Sequence, residues 1–249
     1  MKHLATLIVV VSVLCSCAYA FSFAVIGDVQ GNNDTFRKAI ALMNRDPSLL
    51  FAVNTGDLTP YGTEWEYNKY KSVLSASRTR FYNLAGNHDD KRGGLGRFKK
   101  HFGSPHYSWE VEGVRFIALY NASRKGLGAE QYAWLKKEIS ANKNKPKIVF
   151  MHKPLFDIAG SFPDEVMLPT SQARELISLF EKNRVAAVFC GHVHGFVSEE
   201  KGGITYIISG GGGGRLHLPH FAGGFHHYIK ATWEKGKLAT EVIKLADEQ

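Results

Sequence analysis

Apolar positions in this chain come in short blocks, and several blocks end in a glycine followed by a polar residue. FSFAVIGD reads as a buried strand closing at Asp28; LLFAVNTGD and FYNLAGNHD read as two more. Stretches with helical spacing lie between them. Thr35 to Arg45 sets Phe36, Ile40 and Met43 on one face, behind Asp34 as N-cap. Thr63 to Ala76 opens with Thr63 and Glu66 at capping-box spacing. This strand–helix alternation predicts a parallel sheet of βαβ units.

The second half changes character. YSWEVEG and VRFIALY predict a hairpin turning at Glu112-Gly113. Gly128 to Ser140 predicts a helix, KIVFMH a strand and SQARELISLFEKN an amphipathic helix. VAAVFCGHVH and GITYIISG follow as strands, and HHYIKATWEKGKLATEVIKL as a closing hairpin around Lys235-Gly236. Parallel strands first and hairpins later predict an α/β fold of two packed mixed sheets flanked by helices. No repeat or low-complexity linker divides the chain, so a single domain over 21–249 is expected.

The beginning of the chain is different. Lys2 and His3 precede the apolar run LATLIVVVSVLC, which is short for a membrane span, and Ala18-Tyr19-Ala20 offers a small-residue cleavage site. Residues 1–20 therefore read as a signal peptide, and the product as secreted or periplasmic. A retained anchor is one alternative. Another is a lipid-anchored form, in which Leu14-Cys15-Ser16-Cys17 acts as a lipobox and Cys17 carries the lipid. Of the three cysteines only Cys190 would remain, so no internal disulfide is expected, and its apolar run marks it as a core residue.

Hydrophobic residues make up 44% of the 249, enough for an ordinary core. The formal charge of +8 favours anionic substrates, lipids or nucleic acid. Its densest cluster, LGRFKKH from Leu95 to His101, reads equally as a solvated loop or a phosphate-attracting rim. No aromatic-and-basic platform for a single strand is evident, so no specific nucleic-acid partner is expected. The oligomeric state is left open.

The candidate chemistry sits at the strand ends. GDVQ, GDL, GNHD and GHVH, with a lone His after KIVFM, offer Asp28, Gln30, Asp57, Asn87, His152, His192 and His194. This mixture of carboxylate, amide and imidazole suits divalent transition metals in a hydrolytic site. Seven donors exceed one tetrahedral shell and suit two ions sharing a carboxylate. Strand carboxyl ends are where open α/β sheets gather ligands, and the glycines at 27, 56, 86 and 191 would permit tight turns there. Singly, Asp28 or Asp57 could merely cap a helix, and His152 could be a buried structural histidine.

In this order, the motifs resemble those of the calcineurin-like metallophosphoesterase family, from Phe23 to about Leu245. The resemblance implies a four-layer α/β/β/α sandwich and a phosphoesterase that cleaves its ester with a hydroxide generated between two ions. Asp28 and His194 would hold the first ion, Asn87, His152 and His192 the second, and Asp57 would bridge. His88 resembles the family's general acid, with Asp89 orienting it and keeping it protonated. His217 is a weak candidate for substrate contact; His220, His226 and His227 follow without an assigned role.

Three positions depart from the family pattern. Gln30 stands where histidine is usual. It could ligate through its amide oxygen or leave the place to water, with a weaker first site and a shift away from zinc. Manganese or iron is therefore favoured, with zinc or magnesium possible. Pro60 stands where some relatives carry a metal-binding tyrosine, with Tyr61 one residue late. Tyr120-Asn121 stands where relatives often show Asp. The implied substrate is a small phosphomonoester or phosphodiester. A non-catalytic scaffold and a nuclease are the alternatives.

Overall fold

A computed structural model describes residues 20–245. The expected leader, with Cys15 and Cys17, and the last four residues lie outside the described residues. Among the described residues eleven strands form two mixed sheets. In the first, β1 (Phe21–Ile26), β2 (Leu49–Asn54) and β3 (Arg80–Asn83) run parallel, and β10 (His227–Glu234) and β11 (Lys237–Lys244) extend the other side of β1 antiparallel. In the second, β5 (Val114–Ala118), β6 (Lys147–Phe150), β7 (Val185–Cys190) and β9 (Ile204–Ser209) are parallel. β4 (Tyr107–Val111) and β8 (Phe196–Lys201) close its edges antiparallel.

The period-two side-chain pattern explains why the sheets stack. Phe23 and Val25 of β1 and Phe51 and Val53 of β2 face Phe116, Ile148, Phe150 and Phe189 of the second sheet, forming the middle layer. At roughly 1.5–3 kcal/mol for each large apolar side chain buried, this layer is a major source of cohesion. The alternate residues Ala24, Ile26 and Ala52 face outward. They are covered by α1 (Asn33–Met43), α2 (Glu64–Leu74) and α3 (Gly94–Phe102) through Phe36, Ile40, Tyr67, Tyr70 and Phe98. The far face of the second sheet is covered by α4 (Gly128–Ala141) and α5 (Thr170–Glu181) through Leu135, Ile139, Leu176 and Phe180. The layers are α/β/β/α, as expected.

Local signals held in most places. Thr63 and Glu66 form a reciprocal capping box. Glu112-Gly113 turns the first hairpin and Lys235-Gly236 the second, with positive φ at all four residues. Two expectations are corrected. α1 begins earlier, because Asn32 rather than Asp34 accepts the capping bond, from the Thr35 amide. LGRFKKH is not a loop: it lies in α3, where Phe98 is buried while Lys99 and Lys100 face solvent.

Candidate metal centre

Five parallel strands from both sheets deliver their following residues to one edge. Asp28 follows β1, Asp57 follows β2, Asn87 follows β3, His152 follows β6, and His192 and His194 follow β7. Four donors turn inward through the left-handed region: Asp28 (φ 61°), Gln30 (44°), Asp57 (53°) and His192 (71°). The glycines of two motifs are needed for close approach. A Cβ on Gly86 would overlap the Asp57 carboxylate, and one on Gly191 would overlap that of Asp28.

One nitrogen of each of the three histidines is held by an acceptor outside the centre. A carbonyl can only accept, so His152 Nδ1–H donates to Thr55 O at 3.1 Å and His194 Nδ1–H to Arg215 O at 2.6 Å. His192 Nε2–H donates to Glu165 Oε2 at 2.7 Å. Each ring thereby turns its other nitrogen inward. His152 Nε2 and His192 Nδ1 face each other at 3.2 Å, and Asp57 Oδ1 lies 3.4 Å from the former. Two ring nitrogens facing each other beside a buried carboxylate call for a cation or a proton among them. Burial, reinforced by the neighbouring His152, drives His192 far below the usual imidazole range, which disfavours the proton.

Around Asp28 the balance differs. Burial would raise this carboxyl, but the hydrogen bond and charge of His194, with help from His152 and the His192 amide, hold it below its ordinary value. Burial lowers His194, yet Asp28 outweighs it and lifts the ring to about 8. This second group also favours positive charge. Asp57, His152 and His192 present ligand atoms within 4.8 Å of one another; so do Asp28, Asp57 and His194. Asp57 belongs to both groups, so the donor set fits two cations bridged by Asp57. Asn87 Oδ1 joins one group, 2.9 Å from His152 Nε2. Gln30 joins the other: its Nε2 donates to Asp57 Oδ2 at 3.1 Å and lies 3.2 Å from His194 Nε2. Ligation through Oε1 would require the amide to turn over.

His88 stands at the rim, its amide donating to Asp57 Oδ1 at 2.8 Å. Its expected partner is corrected. Asp89 is fully buried and points away, accepting from Leu58 N, Thr59 N, Thr59 Oγ1 and Gly86 N at 3.0–3.2 Å. Burial and the charge of Asp57 push Asp89 up to about 8, against the pull of those donors. It braces the two loops that carry Asp57 and Asn87, while the His88 ring meets Pro60 O at 2.9 Å and Lys91 Nζ at 2.8 Å. Tyr61 is half exposed under the Lys91 ammonium and does not line the cleft.

The cleft measures about 350 Å³, lined by Gln30, Asp57, Asn87, His88, Glu165 and His192, with His194, Arg215 and His217. His217 stacks on His194 with centroids 4.1 Å apart. α3 does not contribute to this wall. His227 is buried behind the sheet edge, close to Ser209.

Glu165 and Arg215 were not found from sequence, and Asn121 was noted there only as a departure from the family pattern, with no role attached. Asn121 is fully buried; its Oδ1 accepts from the His152 and Lys153 amides at 2.9 Å, and its Nδ2 donates to Lys153 O at 2.7 Å. It fixes the bend that carries His152, and its burial closes Asn121-Ala122-Ser123, an N-x-S triplet, to glycosylation in the folded chain.

The model of the calcineurin-like phosphoesterase family matches residues 21–196. The chain belongs to this family. A probable glycerophosphodiester phosphodiesterase of Arcobacter nitrofigilis is 29% identical over 160 residues, covering 61% of this chain and 59% of that protein. A probable cyclic nucleotide phosphodiesterase of Colwellia psychrerythraea is 30% identical over 168 residues, covering 64% and 61%. The match thus spans about three fifths of these curated relatives. Among solved structures, a purple acid phosphatase from yellow lupin seeds superposes with a TM-score of 0.72 at 17% identity, covering 94% of this chain and 53% of that one. A dimetal phosphatase from Danio rerio gives 0.69 at 14%, covering 91% and 97%. At these identities the likeness is one of fold.

Proposed function

We propose that this chain is an exported, metal-dependent phosphoesterase acting on small phosphodiesters or phosphomonoesters. The observation that carries the reading is the pair of inward ring nitrogens, His152 Nε2 and His192 Nδ1, set 3.2 Å apart beside a carboxylate that also serves a second donor group. Asp28, Gln30, Asp57 and His194 would hold one ion; Asp57, Asn87, His152 and His192 would hold the other. Two ions there supply Lewis acidity toward a phosphoryl oxygen and a nucleophile at neutral pH. Oxygen donors beside imidazoles suit manganese or iron.

The chain's own groups do the rest. The cleft volume lies in the range of small-ligand sites. Arg215 and His217 line it and would orient the anionic group. His88, at the rim, would give a proton to the leaving oxygen. The names of both sequence relatives favour a diester. Residues 1–20 would direct export, with a lipid on Cys17 as the alternative.

Metal-stripped protein reconstituted with manganese, iron, zinc or magnesium should hydrolyse nitrophenyl phosphate or its bis-ester, and Asp57→Asn should not. A folded wild type inert with every metal refutes the enzyme and leaves the scaffold. The mass of the exported product tests the leader. A chain starting at Phe21 supports cleavage, a lipidated Cys17 supports the anchor, and an intact Met1 inside the cell refutes export.

A further inference from the structure

We infer that Glu165 is a positioning residue for the site formed by Asp57, Asn87, His152 and His192, holding His192 in the tautomer that presents Nδ1. The inference rests on the two-ion reading above. Glu165 comes from the loop between β6 and α5, at the end of a 3-10 turn, Pro163–Glu165. That loop is tied down independently of the centre. Met167 is fully buried and its amide donates to Pro154 O at 2.8 Å, while the Phe162 amide donates to Asp157 Oδ2 at 2.9 Å. The backbone that carries Glu165 is thus anchored, and its carboxylate, on the cleft wall, accepts from Nε2 at 2.7 Å.

This constraint matters more at His192 than at the other two imidazoles. His152 and His194 are fixed by main-chain carbonyls, which no substitution removes. His192 depends on one side chain that is 46% exposed. Without that acceptor, the proton of a neutral imidazole divides between Nδ1 and Nε2, and every Nδ1–H form turns a donor toward the cation position. Outer partners of this kind are worth about 10- to 100-fold in metal affinity. Glu165 bonds to His192 and to neither Asp28 nor His194 among the described residues, so the other site should not respond.

The test uses full-length protein stripped of metal and titrated calorimetrically with manganese alone. Wild type should take up two ions. Glu165→Ala should weaken one of the two by about 10- to 100-fold and leave the other unchanged. Glu165→Gln, whose amide oxygen can still accept from Nε2–H, should recover most of that loss. Nitrogen-detected NMR of the metal-free protein gives a second readout. His192 should carry its proton on Nε2 in wild type and on both nitrogens in Glu165→Ala. Equal affinities together with an unchanged tautomer in Glu165→Ala overturn the inference. A wild type that binds no ion sinks the two-metal reading instead, and the tautomer measurement still decides the role of Glu165.

Discussion

Asn121 allows the site's scaffolding to be tested without touching a ligand. Asn121→Ala removes three bonds at once and leaves the His152 amide, the Lys153 amide and the Lys153 carbonyl without their partner. A stranded buried polar group costs about 1–3 kcal/mol. Taking the low end for each, because a small cavity would admit water, the loss is about 3 kcal/mol. At roughly 2–4 °C per kcal/mol for a domain of this size, the melting point should fall by roughly 6–12 °C. Asn121→Asp separates the contributions. It keeps both acceptances but sets a carboxylate oxygen against the Lys153 carbonyl, which now lies 2.7 Å from Nδ2. Protonation of that carboxyl restores a donor, so the Asp variant should approach wild-type stability in acid and fall away from it at neutral pH. Urea denaturation with unchanged m-values gives both numbers. A loss below about 1 kcal/mol for the Ala variant would refute the claim that Asn121 fixes the His152 bend.

Other consequences are as direct. Gln30→His should raise the affinity of one metal site and shift its preference toward zinc; metal analysis showing neither change would overturn the role given to Gln30. His88→Ala should lose about 10²–10⁴-fold on an alkyl ester and much less on a nitrophenyl ester, whose leaving group needs little protonation; equal losses would exclude a proton donor. Burial holds the His227 ring down at about 4. The unfolded chain therefore binds the extra proton first, and stability present above about 6.5 is lost as pH falls toward 4, by up to about 3 kcal/mol. His227→Phe should flatten that slope in acid denaturation; an unchanged slope would place its origin elsewhere.

What was legible in the sequence was local. A strand that ends in Gly-Asp or Gly-Asn-His announces its own boundary, and βαβ order then brings successive ends to one edge. α3 carried a signal as well. Leu95, Phe98 and Phe102 keep helical spacing, but the glycines and basic residues around them suggested a loop. β8 had none: FVSEEK is a charged edge strand paired only with β9. Asp89 shows the limit of adjacency. It neighbours His88 along the chain, yet its oxygens are taken by amides of a different loop. Glu165 meets the centre only through tertiary folding, from a stretch without periodicity or motif, and Asn121 stands at the end of a legible strand, where nothing in the sequence pointed to its bonds with the His152 bend.

The left-handed donors carry a consequence for anyone selecting on stability. Asp28, Gln30, Asp57 and His192 occupy backbone geometry that glycine adopts freely and other residues adopt at a cost of order 1–3 kcal/mol each. A screen for heat resistance that ignored turnover would therefore drift toward glycine at those positions and dismantle the centre as it succeeded. Run deliberately, the same screen becomes a map: the sites where glycine raises the melting point outline the residues retained for chemistry rather than for folding.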